Sequence, residues 1–169
     1  MKSFLTAILL LASAAVACAQ TNAAAVPDLA RLQSEIKGTR SLTWVITGDS
    51  ITHGAKWLGR ERSYPEIINE RIRWEMGRYH DMLVNSGITS EKAPGLLADF
   101  NWRVLRFKPD VVSVMIGMND SAEGPAGREK FARTLREMVH QIRAAGAIPI
   151  LNRTNPIDTE RDPSVVSRK

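Results

Sequence analysis

The sequence predicts an α/β protein, a three-layer α/β/α sandwich around a parallel sheet. Short apolar runs alternate with stretches in which apolar residues recur at helical spacing. The connections between runs are too long for hairpins, so the strands lie parallel and are joined by right-handed crossovers. In the first run Leu42, Trp44 and Ile46 fall on one face while Thr43, Val45 and Thr47 fall on the other, so it can be covered on both sides. With 169 residues, 44% hydrophobic and 24% charged, the chain has the length of one domain with a sizeable core.

The elements follow in order. Lys2 precedes an apolar run from Phe4 to Val16, and Ala17-Cys18-Ala19 has the small-x-small pattern of a signal-peptidase site, so residues 1–19 read as a signal peptide. Export to the periplasm or the medium is expected. An alternative is a lipoprotein lipidated at Cys18, although the leucine usual three residues earlier is missing. Cys18 is the single cysteine, which leaves no partner for an intramolecular disulfide. Residues 20–40 form a lead-in, with Leu29, Leu32 and Ile36 marking a short helix that ends at Gly38.

A single domain is expected over residues 41–169. After the first strand, Ser63-Tyr64-Pro65-Glu66 is a capping box with proline in the first turn, and Tyr64, Ile67, Ile68, Ile72 and Met76 predict the buried stripe of its helix. Met82 to Val84 read as the second strand. A helix over 94–107 follows, with Leu97, Phe100, Val104 and Leu105 inward. Residues 110–116 are a buried third strand, and 117–127 a loop. Phe131, Leu135, Met138, Val139 and Ile142 predict a third long helix closed by Gly146, and 148–151 the fourth strand. Beyond it the chain is polar, with Pro156 and Pro163 and no clear final strand, so the sheet is expected to be incomplete at its C-terminal side.

The formal net charge is +5, with 23 basic and 18 acidic residues, but the basic residues never cluster. A nucleic-acid footprint is therefore not expected. No later run reaches the roughly 18 apolar residues of a transmembrane helix.

Chemistry gathers where the strands end. Gly48-Asp49-Ser50 follows the first strand, Asn85-Ser86-Gly87 the second and Gly117-Met118-Asn119-Asp120 the third, so all three turns share the carboxyl edge where ligands bind in open α/β sheets. Each turn alone is ordinary loop and cap chemistry. Together they supply a hydroxyl to attack a carbonyl, with a glycine N–H and an asparagine amide to bind the developing oxyanion.

These blocks resemble those of the SGNH (GDSL-type) hydrolases. Gly48-Asp49-Ser50-Ile51-Thr52-His53-Gly54 is similar to the first block, Asn85-Ser86-Gly87 to the second and Gly117-Met118-Asn119-Asp120 to the third, over about 42–151. The resemblance implies a flavodoxin-like sheet and ester hydrolysis through an acyl-enzyme. Ser50 would be the nucleophile, and its own N–H, the Gly87 N–H and the Asn119 side chain the oxyanion hole. No metal or organic cofactor is implied. Acylated carbohydrates are the first expected substrate class, lipid or aryl esters the second. Trp57 is either an acyl- or sugar-packing wall or a core or rim residue.

The family's fourth block, Asp-x-x-His, supplies its general base, and no Asp in these 169 residues is followed three positions later by His. His53 lies inside the first block, His80 precedes the second strand, and His140 reads as a surface partner of Glu137. Two readings stand: an exported esterase represented by an incomplete chain, or an inactive protein of the same fold that binds without turnover. A phosphate-binding domain ranks behind both, because neither GxGxxG nor GxxxxGK[ST] occurs. The Gly-x-Ser-x-Gly elbow is absent as well, with Thr52 in its last position.

Overall fold

A computed structural model describes residues 28–54 and 58–155. Its sheet is wholly parallel. Strands β1 (Thr43–Gly48), β2 (Met82–Asn85), β3 (Val111–Met115) and β4 (Ile148–Asn152) lie in the order β2-β1-β3-β4. Trp44 pairs with Leu83 on one side and Val111 on the other, and Val111 with Ile148. The expectations for residues 1–19, for Cys18, for Trp57 and for the polar stretch from 156 onward lie outside the described residues.

Helices cover both faces, as the two-sided strand pattern requires. On one face Leu42, Trp44, Val111 and Ile148 meet Ile72 and the half-buried Ile68, Leu32 and Ile36. Leu32 and Ile36 come from α1 (Asp28–Lys37), and Ile68 from α3 (Tyr64–Glu70). On the other face Val45, Val112 and Val114 pack on Leu96 of α4 (Ala93–Ala98), Phe100 of α5 (Phe100–Arg103), and Met138 and Ile142 of α6 (Arg128–Ala144). These layers are the predicted α/β/α sandwich. Pro149 lies in β4 at the sheet's edge, where a missing N–H is tolerated.

Two helices depart from their expected form. The capping box forms, the Glu66 carboxylate accepting from the Ser63 N–H at 2.6 Å, but α3 passes into a π-helical turn over Arg71–Glu75, with Met76 N–H bonded to the Arg71 carbonyl at 3.0 Å. Ile67, expected in the buried stripe, is 41% exposed already in α3, and the extra residue of the turn leaves Met76 43% exposed while Ile72 stays buried. The helix expected over 94–107 breaks into α4, α5 and a 3₁₀ turn at Leu105–Phe107. Leu96, rather than Leu97, is then the fully buried leucine.

At the amino edge of the sheet the buried Asp81 carboxylate accepts from Leu42 N–H at 3.0 Å, the Trp44 indole at 2.9 Å, and Arg78 Nε at 2.7 Å and Nη2 at 3.0 Å. Arg78 also donates to the carbonyls of Ile36, Gly38 and Arg40, tying α1 to the sheet. Burial alone would push the Asp81 carboxyl up; the Arg78, Trp44 and Leu42 bonds outweigh it and hold it below the usual aspartate value. Asp81→Asn leaves Arg78 a buried unpaired cation and is expected to cost about 3–5 kcal/mol in urea unfolding near neutral pH. Asp81 stabilises the wild type fully above the unfolded value of 3.8 and loses that effect as pH falls through the lower folded value, so the gap should close in acid. A constant gap would refute the pairing.

Candidate active site

Strand β1 ends at Gly48, where the chain turns into α2 (Ser50–His53). A side chain at Gly48 would overlap the Met115 carbonyl, so β1 and β3 approach closely only because this residue is glycine. Asp49 caps α2, its Oδ1 accepting from Ile51 N–H at 3.0 Å, and Gly54 closes it in the left-handed region at φ 75°. Ser50 is thus the first residue of a helical turn beyond the strand. Strand order reverses between β1 and β3, the topological switch point at which open α/β sheets bind ligands.

The second turn is laid along the first. Ser86 N–H donates to the Ile46 carbonyl at 2.9 Å and Ile88 N–H to the Gly48 carbonyl at 3.0 Å, continuing the β1–β2 ladder past the end of β2. Gly87 lies between them. A Cβ there would sit 2.6 Å from His53 N and 2.9 Å from the Thr52 carbonyl carbon, so Gly87 is seated against the backbone of α2. Asn85 Nδ2 donates to the Thr52 carbonyl at 2.9 Å, and Asn85 Oδ1 accepts from the Gly87 N–H at 3.0 Å.

Asn119 follows β3 and precedes a 3₁₀ turn at Asp120–Glu123. Its Nδ2 donates to the Glu91 carbonyl at 2.8 Å, and the Asp120 carboxylate accepts from Ala93 N–H at 3.0 Å at the start of α4. Three turns from adjacent, in-register strands therefore carry Ser50, Gly87 and Asn119. An open cleft of about 580 Å³ borders Ser50, walled by Ile51, Leu58, Tyr64 and Met115, with Arg153 at its side. That volume suits a small ligand.

Several contributors carry no motif. Arg103 is 1% exposed, paired with Glu91 and donating to the Ser86 carbonyl at 2.9 Å and the Gly48 carbonyl at 3.4 Å. Leu96, Phe100 and Arg103 stand at i, i+4 and i+7, so an arginine on the apolar stripe was the available signal. Tyr64 Oη and Thr52 Oγ1 are 3.0 Å apart behind Ser50. Burial raises the Tyr64 hydroxyl above its usual value, and the Asp49 charge adds to the rise. Burial likewise raises Asp120, against the Ala93 N–H.

The histidines lie elsewhere or are engaged. His53 Nδ1 is 2.9 Å from Thr89 Oγ1. His80 borders Gly38, Arg78 and Asp81 at the amino edge. His140 is exposed on α6, and Glu137 accepts from Gln141 Nε2 at 2.9 Å instead of pairing with it. Among the described residues no group of three or more His, Cys, Asp or Glu could hold a metal ion, and no helix is long and apolar enough to cross a membrane.

A serine thus opens a helical turn at the switch point of a parallel sheet, with glycine and asparagine turns beside it. The chain belongs to the GDSL-like lipase/acylhydrolase family, whose model matches residues 46–168, further than the resemblance of the three blocks alone. A lipase/acylhydrolase from Enterococcus faecalis is 28% identical with a TM-score of 0.58, over 72% of this chain and 62% of that one. A two-domain esterase active on acetylated mannans shares the fold at 21% identity and a TM-score of 0.62, over 75% of this chain and 33% of its own. An uncharacterized protein of Mycoplasma pneumoniae is 29% identical over 108 residues, 62% of this chain and 12% of that protein. The chain thus spans less than two thirds of the length of each.

Asp49 gives the site a measurable pH signature. It is fully buried, and burial raises its carboxyl above the usual value of 3.8, against the Ile51 and Asp49 backbone N–H groups. The folded chain therefore holds this proton longer than the unfolded chain, and the stability so gained fades as pH rises through the folded value. The melting temperature of Asp49→Asn relative to wild type should rise as pH increases from the unfolded value of 3.8 through the higher folded one. A falling difference would refute the burial argument.

Proposed function

We propose that this chain carries the nucleophile and oxyanion groups of an exported serine ester hydrolase. Ser50 Oγ attacks the acyl carbon, and the carbonyl electron pair moves onto its oxygen. The N–H groups of Ser50 and Gly87 and the second Nδ2 hydrogen of Asn119 bind that oxygen. The bond to the alcohol breaks as the carbonyl re-forms, the alcohol leaving with the proton that Ser50 gives up, and water then adds to the acyl-enzyme to release the acid and restore the Ser50 hydroxyl. What supports the reading is the seating of Gly87 on the helical turn that Ser50 opens, within a chain of this family. The Gly87 N–H, bonded to Asn85 Oδ1 in the unliganded protein, exchanges that partner for the oxyanion.

Acylated carbohydrates are the proposed substrates. The esterase active on acetylated mannans shares only the fold, so the class rests on the block pattern and on a cleft of small-ligand size. Lys2, the apolar run after it and Ala17-Cys18-Ala19 support export. Cleavage after Ala19 would give a mature N-terminus at Gln20, read by Edman sequencing of the exported protein; a lipidated Cys18 terminus would overturn it in favour of a membrane-anchored form.

The 169 residues hold no Asp-x-x-His, and His53, His80 and His140 are occupied or remote. A second reading is a protein of the same fold that binds esters without turnover. The two separate in one assay with an activated aryl acetate and a panel of acetylated sugars. A polypeptide of these residues alone should turn over about 10⁶-fold more slowly than one that also carries the family's Asp-x-x-His block. In the latter, Ser50→Ala should abolish turnover without unfolding the protein, and Asn119→Ala should lower it by about 10²–10³-fold. Serine-dependent turnover at ordinary rates by the 169 residues would overturn the need for that block, and full activity of Ser50→Ala would remove Ser50 from its role.

A further inference from the structure

We propose that Arg103 is the positioning residue of this site, holding the turns of Ser50, Gly87 and Asn119 in mutual register through one buried guanidinium. The inference rests on the reading of Gly87 and Asn119 as oxyanion donors.

The turns after β1 and β2 are joined to each other by the Ser86 and Ile88 N–H groups, and Arg103 brings in the third: it bonds to both of those turns directly and reaches Asn119 through Glu91. Nη2 donates to the carbonyl of Gly48, two residues before Ser50, at 3.4 Å. It donates also to the carbonyl of Ser86, the residue before Gly87, at 2.9 Å. Nη1 pairs with the Glu91 carboxylate. Glu91 is in turn the residue whose main-chain carbonyl accepts the Asn119 amide at 2.8 Å. Its Oε1 accepts from Lys92 N–H at 3.0 Å, so the peptide that receives Asn119 is restrained by its own side chain.

The base of this fork is rigid. Arg103 stands at the end of α5, between Phe100 at 1% exposure and Val104 at 0%. A guanidinium this deeply buried must keep its acceptors, because an unpaired charge at 1% exposure is strongly disfavoured. The same requirement that satisfies the charge therefore sets the separation of the three turns. A lysine has one ammonium on a flexible stem and does not reproduce a planar fork directed at three acceptors.

A purely structural arginine would stabilise the fold without acting through Asn119, and the two roles separate in a binding experiment on the protein itself. Phenylboronic acid is the probe. Ser50 Oγ donates a lone pair to the empty orbital of boron, its proton passes to buffer, and the tetrahedral boronate anion places an oxygen where the oxyanion would form. Boron NMR reads the adduct, and Ser50→Ala should abolish it. Arg103→Met should weaken it by roughly tenfold or more, as a misplaced oxyanion donor would, while circular dichroism and cooperative unfolding persist. Arg103→Lys should restore only part. Because part of the effect of Arg103 runs through Glu91 and Asn119, the combined loss in Arg103→Met with Asn119→Ala should fall clearly short of the sum of the two single losses. Full affinity in Arg103→Met, or losses that simply add, would overturn the inference.

A wild type that forms no adduct would count against the reading of Ser50, not against Arg103. The Asn119 side-chain amide signals then carry the test, since they should move in Arg103→Met; unmoved signals overturn the proposal. Should Arg103→Met not fold, Glu91→Gln and Arg103→Lys provide the same comparison, and unmoved amide signals in both would overturn it equally.

Discussion

Strand β1 is paired on both sides and covered on both faces, so the backbone N–H and C=O groups at its carboxyl end must find partners within the protein. That constraint shapes the site. Where β1 stops at Gly48, its carbonyl is taken up by Ile88 N–H and by Arg103, and the β2 turn is drawn alongside the β1 turn. Gly48 and Gly87 are the two positions where backbone must touch backbone, against Met115 in one case and against Thr52 and His53 in the other. The glycines of the first and second blocks therefore have a packing cause that holds whatever chemistry follows.

The parts legible in the sequence were those written by local rules. Two-sided apolar runs gave four strands at their places, and long connections gave parallel pairing. Strand order was less local, yet the resemblance of three turns to known blocks carried a flavodoxin-like sheet, and the observed β2-β1-β3-β4 begins that order. The turns themselves were readable because Gly, Asn, Asp and Ser each answer to a specific backbone need at a strand end. Capping at Ser63 and Glu66 was readable for the same reason.

What stayed hidden depends on partners far away in the chain. Arg103 and Glu91 are 12 residues apart and Asp81 and Leu42 are 39, so although the place of Arg103 on an apolar stripe hints at burial, the partners that satisfy either charge cannot be read locally. The π-helical turn at Arg71–Glu75 was hidden because helical periodicity assumes a constant 3.6 residues per turn. A single extra residue there carries Met76 out of the stripe. The break of the helix after Ala98 has a similar origin. Leu96 and Phe100 keep helical spacing across it, so the pattern survives an interruption of the backbone.

The two edges of the sheet are built to different standards of polar satisfaction. At the amino edge Asp81 accepts four hydrogen bonds, and Asp110 accepts from Thr43 N–H and Arg40. At the carboxyl edge Thr47 Oγ1, Asp49 Oδ2, Ser86 Oγ and Arg103 Nε are all buried with no partner among the described residues. Each unpaired buried group costs about 1–3 kcal/mol, so this edge is held in place against its own local preferences by the packing of the core below it. Thr47 and Asp49 flank Gly48, Ser86 precedes Gly87, and Arg103 spans the turns. These groups gather around the turns after β1 and β2, while the saturated amino edge anchors the same strands from the other end.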